Sequence, residues 1–141
     1  MSEDSVFKEN LFKGKKVFIT GGATGMGLGF AQAFLNHGAE VFIASRKEDK
    51  LKQAAEETEK KFGKKLIWKT MDVRNNETVE EAIEFLNSEW GELDILVNNA
   101  AGNFVAPIAS MSENAWRAVV DIVLDGTFRV SKASYPLLRK A

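Results

Sequence analysis

The 141-residue sequence contains no cysteine, two prolines, one tyrosine and one histidine. Without cysteine there are no disulfides and no thiolate metal ligands, which fits a reducing cytoplasm. Its acidic residues, such as Glu56, Glu57 and Glu59, fall on solvated helix faces, so no metal-ligand constellation appears. No apolar run approaches the ~20 residues that a membrane span needs, and Met1-Ser2-Glu3-Asp4-Ser5 is acidic rather than an apolar signal core. Neither sign of charge dominates. Nineteen basic and 20 acidic residues leave a net charge of −1, so there is no basic field for nucleic acid or anionic lipid. These absences set the expectation of a cytoplasmic chain without nucleic-acid or membrane partners.

What is present suits a packed core. Hydrophobic residues make up 45% and charged residues 28% of a chain long enough for one domain and too short for two. Residues 1–13 are mixed in character, and Phe7, Leu11 and Phe12 are expected to pin this leader to the domain. From Val17 a unit repeats: an apolar strand, a helical pattern, then a glycine or turn. Strand candidates are 17–20, 40–45, 66–71 and 93–98. The intervening runs show helical spacing: 26–37, then Leu51, Ala54, Ala55, Thr58 and Phe62, then Val79, Ala82, Ile83, Leu86 and Trp90. Such alternation predicts an α/β fold, a doubly wound parallel sheet with helices on both faces.

A fourth helix is expected from Glu113 into the C-terminus, N-capped by Ser112 and kinked or loosened by Pro136. Its apolar positions, among them Trp116, Leu124, Phe128 and Leu137, cover two faces, one for the sheet and one for a partner helix. His37, in the last turn of the first helix, reads as a solvated cation; Trp68, Trp90 and Trp116 read as core. Tyr135 reads as a packing residue.

The chemistry concentrates where the first strand enters the first helix, at Thr20-Gly21-Gly22-Ala23-Thr24-Gly25-Met26-Gly27. A glycine turn alone can be structural. Here it follows a strand and opens a helix, so unpaired backbone N–H groups and a helix dipole converge where a pyrophosphate would sit. The spacing is not G-x-G-x-x-G but still lets backbone approach phosphates. An acid at the end of the second strand would bind the 2′-hydroxyl of NAD; Ser45 and Arg46 stand there instead. Arg46 can hold a 2′-phosphate through a charge-assisted fork and Ser45 adds a donor, which favours NADPH. The alternative for Arg46 is a solvated surface charge.

Together these residues resemble the short-chain dehydrogenase/reductase family. Thr20 to Gly27 match its TGxxxGxG turn, Asp72-Val73 its adenine-contacting pair, and Asn98-Asn99-Ala100 its NNA motif. The resemblance implies a Rossmann-like domain with Asn99 and Ala100 along the cofactor. A narrower likeness starts at Asn98-Asn99-Ala100-Ala101-Gly102-Asn103-Phe104, an extended form similar to 2,4-dienoyl-CoA reductases. These are NADPH-dependent enzymes of unsaturated fatty acid β-oxidation. Val123 stands where most of the family has a catalytic Asn, as it does in the dienoyl-CoA reductases. The resemblance implies that the Asn103 amide hydrogen-bonds the thioester carbonyl of an acyl-CoA. Hydride addition to a conjugated dienoyl thioester drives charge onto that oxygen, so a donor there favours the transition state. The bland alternative is an Asn103 that caps a loop turn.

The family's catalytic Tyr-x-x-x-Lys has no counterpart here. Tyr135 is followed at that spacing by Arg139, which stays protonated and replaces lysine poorly. The expectation is a single NADP-binding domain over 1–141, truncated after the fourth helix and inactive by itself. The full-length form would be a homo-oligomer through that helix. Alternatives are a 3-oxoacyl thioester or alcohol-type member of the family, and a non-catalytic NADP-binding or assembly module.

Overall fold

The computed structural model describes residues 6–141, so the acidic Met1–Ser5 start lies outside the described residues. Four strands, β1 (Lys16–Thr20), β2 (Glu40–Ser45), β3 (Ile67–Thr70) and β4 (Ile95–Val97), form one parallel sheet in the order β3-β2-β1-β4. The helices between them are α1 (Gly25–Asn36), α2 (Glu48–Phe62) and α3 (Asn76–Glu89). Beyond β4 come a short 3₁₀ turn (Ile108–Ser110), α4 (Glu113–Val120), one π-helical turn (Asp121–Asp125) and α5 (Gly126–Leu138).

Side-chain alternation along the strands divides the core between the two faces of the sheet. Val17 and Ile19 of β1, with Val41 and Ile43 of β2, meet Ala31 and Leu35 of α1 and Leu51 and Ala54 of α2. Phe18, Phe42 and Ala44 point the other way, onto Val79, Ala82 and Leu86 of α3 and Val130 and Leu137 of α5. Both faces are therefore covered, which is why β1 and β2 read as continuous apolar runs. Phe18 and Phe42 are fully buried with ring centroids 4.9 Å apart; burying each contributes about 2–3 kcal/mol. This is the doubly wound, Rossmann-like sheet that the strand–helix alternation predicts. Among the described residues, no helix is long and apolar enough to cross a membrane.

Several local expectations change. β4 is shorter than 93–98; at Asp94 the N–H still donates to the Lys16 carbonyl while the carboxylate accepts from the Lys16 N–H. The last helix does not break at Pro136, which lies inside α5 near its C-terminal end and forgoes one intrahelical hydrogen bond there. The irregularity comes earlier, at Asp121–Asp125, where the Gly126 N–H donates to the carbonyl of Asp121 five residues back. Ser112 does cap α4, its hydroxyl accepting from the Ala115 N–H at 3.1 Å.

His37 is not solvated. It is buried beneath the leader, with the Phe7 ring 5.7 Å from its own and the Phe12 N–H donating to its carbonyl. Phe12 also packs on Phe34, so the leader is pinned to the C-terminal end of α1. Trp68 and Trp90 are half-buried against the core, whereas Trp116 and Tyr135 are exposed. With Leu124 and Phe128 they form an apolar stripe along the outer side of α4 and α5, while the other side of α5 meets α3 and β4.

At the N-terminal ends of β1 and β4 the Asp94 carboxylate, 14% exposed, accepts from Lys15 Nζ at 2.7 Å and from the Lys16 N–H at 2.9 Å. Lys15 first, and then the backbone donor, hold its carboxyl below the usual carboxylate range. A depressed folded pKa stabilises the fold above the unfolded value near pH 4 and loses that stabilisation as pH falls through the folded value. Asp94→Ala is expected to cost about 1–2 kcal/mol at pH 7, and the difference from the unsubstituted chain should shrink as pH falls below about 4. Denaturant melts across that range check this; a difference unchanged from pH 7 to pH 3 would refute the carboxylate's role.

Candidate functional site

The four C-terminal strand ends open onto one groove of about 440 Å³. Its floor lies at the switch point, where β1 has β2 on one side and β4 on the other. Connections from this region leave in opposite directions, so a crevice forms without any special side chain.

The turn after β1 is held by a hydrogen-bonded latch to the residues after β4. Thr20 Oγ1 accepts from the Asn99 N–H at 3.0 Å and the Ala100 N–H at 2.9 Å. In return, Asn99 Nδ2 donates to the carbonyls of Thr20 at 3.1 Å and Gly21 at 3.2 Å. Both amide hydrogens of Asn99 are thus used internally, and its side-chain oxygen is the atom left to face a ligand. Gly27 makes the latch possible: a Cβ there would collide with the Gly21 carbonyl and sit 2.5 Å from Asn99 Nδ2.

Thr24 stands at the N-cap of α1 in an extended conformation, but its side chain makes no capping bond. The first N–H groups of α1 therefore lack both an intrahelical and a side-chain acceptor, and they open beside Gly21, Ala23, Thr24, Met26 and Gly27, which line the groove. Gly22 is packed beneath the turn, with no space for a Cβ against Ile43, and Gly25 opens the helix.

Past β2, Ser45, Arg46, Lys47 and Lys50 form a basic rim. Past β3, Met71, Asp72, Val73 and Arg74 form the facing wall. Asp72 is gripped by Arg74: Nη2 reaches Oδ2 at 2.7 Å, while Nε and the backbone N–H each reach Oδ1 at 3.0 Å. This grip holds the Asp72 carboxyl below the usual range, against a partial opposing effect of burial and with a smaller contribution from Arg46. The Asp72 charge is largely answered by Arg74, so Arg46, Lys47 and Lys50 leave the rim positive. Unpaired donors at a helix start, a glycine where no Cβ fits and a cationic rim fit a phosphorylated dinucleotide. Among the described residues no group of metal-ligating side chains occurs.

The structure brings Thr20 to Gly27, Ser45, Arg46, Asp72, Val73, Asn99 and Ala100 around this one groove. Asn103 is outside it, exposed on the loop that leads from Ala100 towards the 3₁₀ turn. Residues not assigned to the site from the sequence also line it, among them Lys50, Arg74 and Ile122. Arg74 has a local signal, since a residue two past an aspartate can chelate it. Ile122, in the π-helical turn, has none, because only the tertiary fold carries it there.

A family model described as short chain dehydrogenase matches residues 15–141. A peroxisomal 2,4-dienoyl-CoA reductase [(3E)-enoyl-CoA-producing] of Danio rerio is 39% identical over 130 residues, 92% of this chain and 43% of that protein. The protein of the same name in Rattus norvegicus is 40% identical over 130 residues, 92% of this chain and 44% of its own length. Among solved structures, L-sorbose reductase from Gluconobacter frateurii, complexed with NADPH and L-sorbose, superimposes with a TM-score of 0.85 at 30% identity. That match covers 92% of this chain and 49% of the reductase. The chain spans less than half the length of the curated relatives it matches. It belongs to the short-chain dehydrogenase family, oxidoreductases that bind NAD or NADP.

Proposed function

We propose that residues 1–141 form a single NADP-binding domain of a reductase that acts on 2,4-dienoyl-CoA thioesters. The observation that carries this reading is the groove itself: the open N-terminus of α1, the Thr20–Asn99 latch and the basic rim meet at the switch point, with Asn103 on the adjoining loop. The names of the zebrafish and rat relatives support the substrate class. NADPH, when bound, supplies the hydride.

In this reading the N–H groups at the start of α1, with the glycine turn, hold the pyrophosphate. Arg46 and Ser45 take the 2′-phosphate, and Arg46 is exposed and positioned on the rim to do so. Asp72 and Val73 bound the adenine, and Asn99 and Ala100 run along the remainder of the cofactor. The Asn103 amide donates to the thioester carbonyl as that oxygen gains negative charge. A donor fixed in advance stabilises the charged state more than the neutral one. Phe104, Val105 and Ile108, exposed beside Asn103, offer apolar surface to an acyl chain. The absence of cysteine supports a cytoplasmic setting; the word peroxisomal belongs to the relatives' names.

Arg46→Ala tests the cofactor preference. Loss of a charge-assisted fork should weaken NADPH binding about ten- to a hundredfold and leave NADH nearly unaffected, as read by equilibrium titration. Equal losses for both dinucleotides would show that Arg46 does not read the 2′-phosphate.

Catalysis needs an acid/base pair that Tyr135 and Arg139 do not supply. Tyr135 is exposed on the outer side of α5, and Arg139 sits over its ring at 5.7 Å. The 141-residue chain alone should bind NADPH yet give no dienoyl-CoA-dependent NADPH oxidation above background. Measurable turnover by this chain would contradict that assignment.

The stripe of Trp116, Leu124, Phe128 and Tyr135 supports self-association through the last helix. Sedimentation at micromolar concentration should show a dimer or larger species, and Phe128→Lys should shift it towards monomer. A monomer for the unsubstituted chain at all concentrations would remove this element of the proposal.

A further inference from the structure

Arg129 lies on α5, a turn beyond the π-helical segment, with its side chain largely screened from solvent. Its Nη1 approaches three oxygens: Asp121 Oδ1 at 2.7 Å, the Asp121 carbonyl at 3.3 Å and the Val73 carbonyl at 3.3 Å. Two of these belong to the π-helical turn. The third belongs to the loop after β3 that also carries Asp72 and Arg74. Gly126 closes the same junction, since a Cβ there would stand 2.8 Å from Val73 Cγ2 while its N–H donates to the Asp121 carbonyl.

On its other side the π-helical turn meets the loop after β4. A Cβ on Gly102 would come within 2.8 Å of Ile122 Cδ1, so Ile122 lies directly over that loop. Val73 and Ile122 both line the groove. One guanidinium therefore connects two of the elements that supply apolar wall to the groove, although Arg129 itself does not line it. A π-helical turn forgoes an α-helical hydrogen bond and needs outside support to persist. A charge-assisted donor, Nη1 of Arg129, on both the carboxylate and the carbonyl of its first residue provides that support.

We propose that Arg129 is a positioning residue for the dinucleotide: it holds the π-helical turn against the Val73 loop, so that Ile122 and Val73 stand at a fixed spacing across the groove. The inference rests on the reading of the groove as an NADPH site. Because Arg129 contacts backbone and Asp121 rather than the rim that includes Arg46, its removal should affect dinucleotides with and without a 2′-phosphate to the same degree. That distinguishes it from Arg46.

The test titrates the unsubstituted chain, Arg129→Met, Arg129→Lys and Arg46→Ala with NADPH and with NADH, alongside thermal melts. Arg129→Met should weaken both dinucleotides about tenfold and in equal proportion, as expected for a displaced binding wall. Arg129→Lys, which keeps a charged donor opposite Asp121 on a shorter side chain, should recover part of the loss. Arg46→Ala should weaken NADPH alone. A lowered melting temperature with unchanged affinity for both dinucleotides would leave Arg129 a purely structural residue and overturn the proposal. Should Arg129→Met not fold, Asp121→Asn removes the ion pair while keeping the carbonyl acceptor. It should also weaken both dinucleotides alike, and unchanged affinity there is equally fatal. If the unsubstituted chain binds neither dinucleotide, the reading of the groove fails instead.

Discussion

The structure depends on the exchange of hydrogen bonds between Thr20 and Asn99. A parallel sheet that reverses its winding leaves a gap between the two central strand ends, and their loops must be kept from drifting into it. Here the gap is bridged by four hydrogen bonds between residues 79 or so apart in sequence, with the Thr20 side chain almost fully buried. Water cannot compete effectively for donors and acceptors at such a site, so each bond holds more firmly than a surface equivalent. The glycine turn is shaped from behind by this latch, which leaves the helix start free on the open side. Gly27 follows from the same constraint, because any side chain there would separate the two halves of the latch.

Charge is distributed between the two ends of the sheet in a way that serves this arrangement. At the N-terminal ends, Lys15 and Lys16 are answered by Asp94 and Glu92, so cations near β1 are neutralised far from the groove. At the C-terminal ends the one acid that lines the groove, Asp72, is taken by Arg74. The result is a nearly neutral chain with a locally positive rim. Overall charge says little about such a site; the pairing of individual charges decides it.

Much of this was legible in the sequence. The strand alternation gave the sheet because its signals are local: apolar runs of strand length, helical spacing and glycines at the boundaries. The positions of Thr20 to Gly27, Arg46, Asp72 and Asn99 were legible for the same reason, since a βα unit delivers its loop residues to the C-terminal edge of the sheet. What escaped was tertiary. His37 looked solvated because nothing local reveals that Phe7 and Phe12 fold back over it. Trp116 and Tyr135 looked buried because apolar character shows that a helix has a second face to cover, not that the cover lies within the same chain.

The last helix shows why that distinction matters. Proline is the usual sequence marker of helical irregularity, yet α5 continues through Pro136 and the irregularity forms at Asp121–Asp125. The cause is a competition between two packing demands. α5 must lie against α3 and the sheet through Val130 and Leu137, while the preceding segment must reach over Gly102 with Ile122. A straight α-helix advances 100° per residue, and an added residue in one turn shifts the facing of everything before it. The π-helical turn provides that shift. It lets one continuous helix serve the core at its C-terminal end and the groove at its middle.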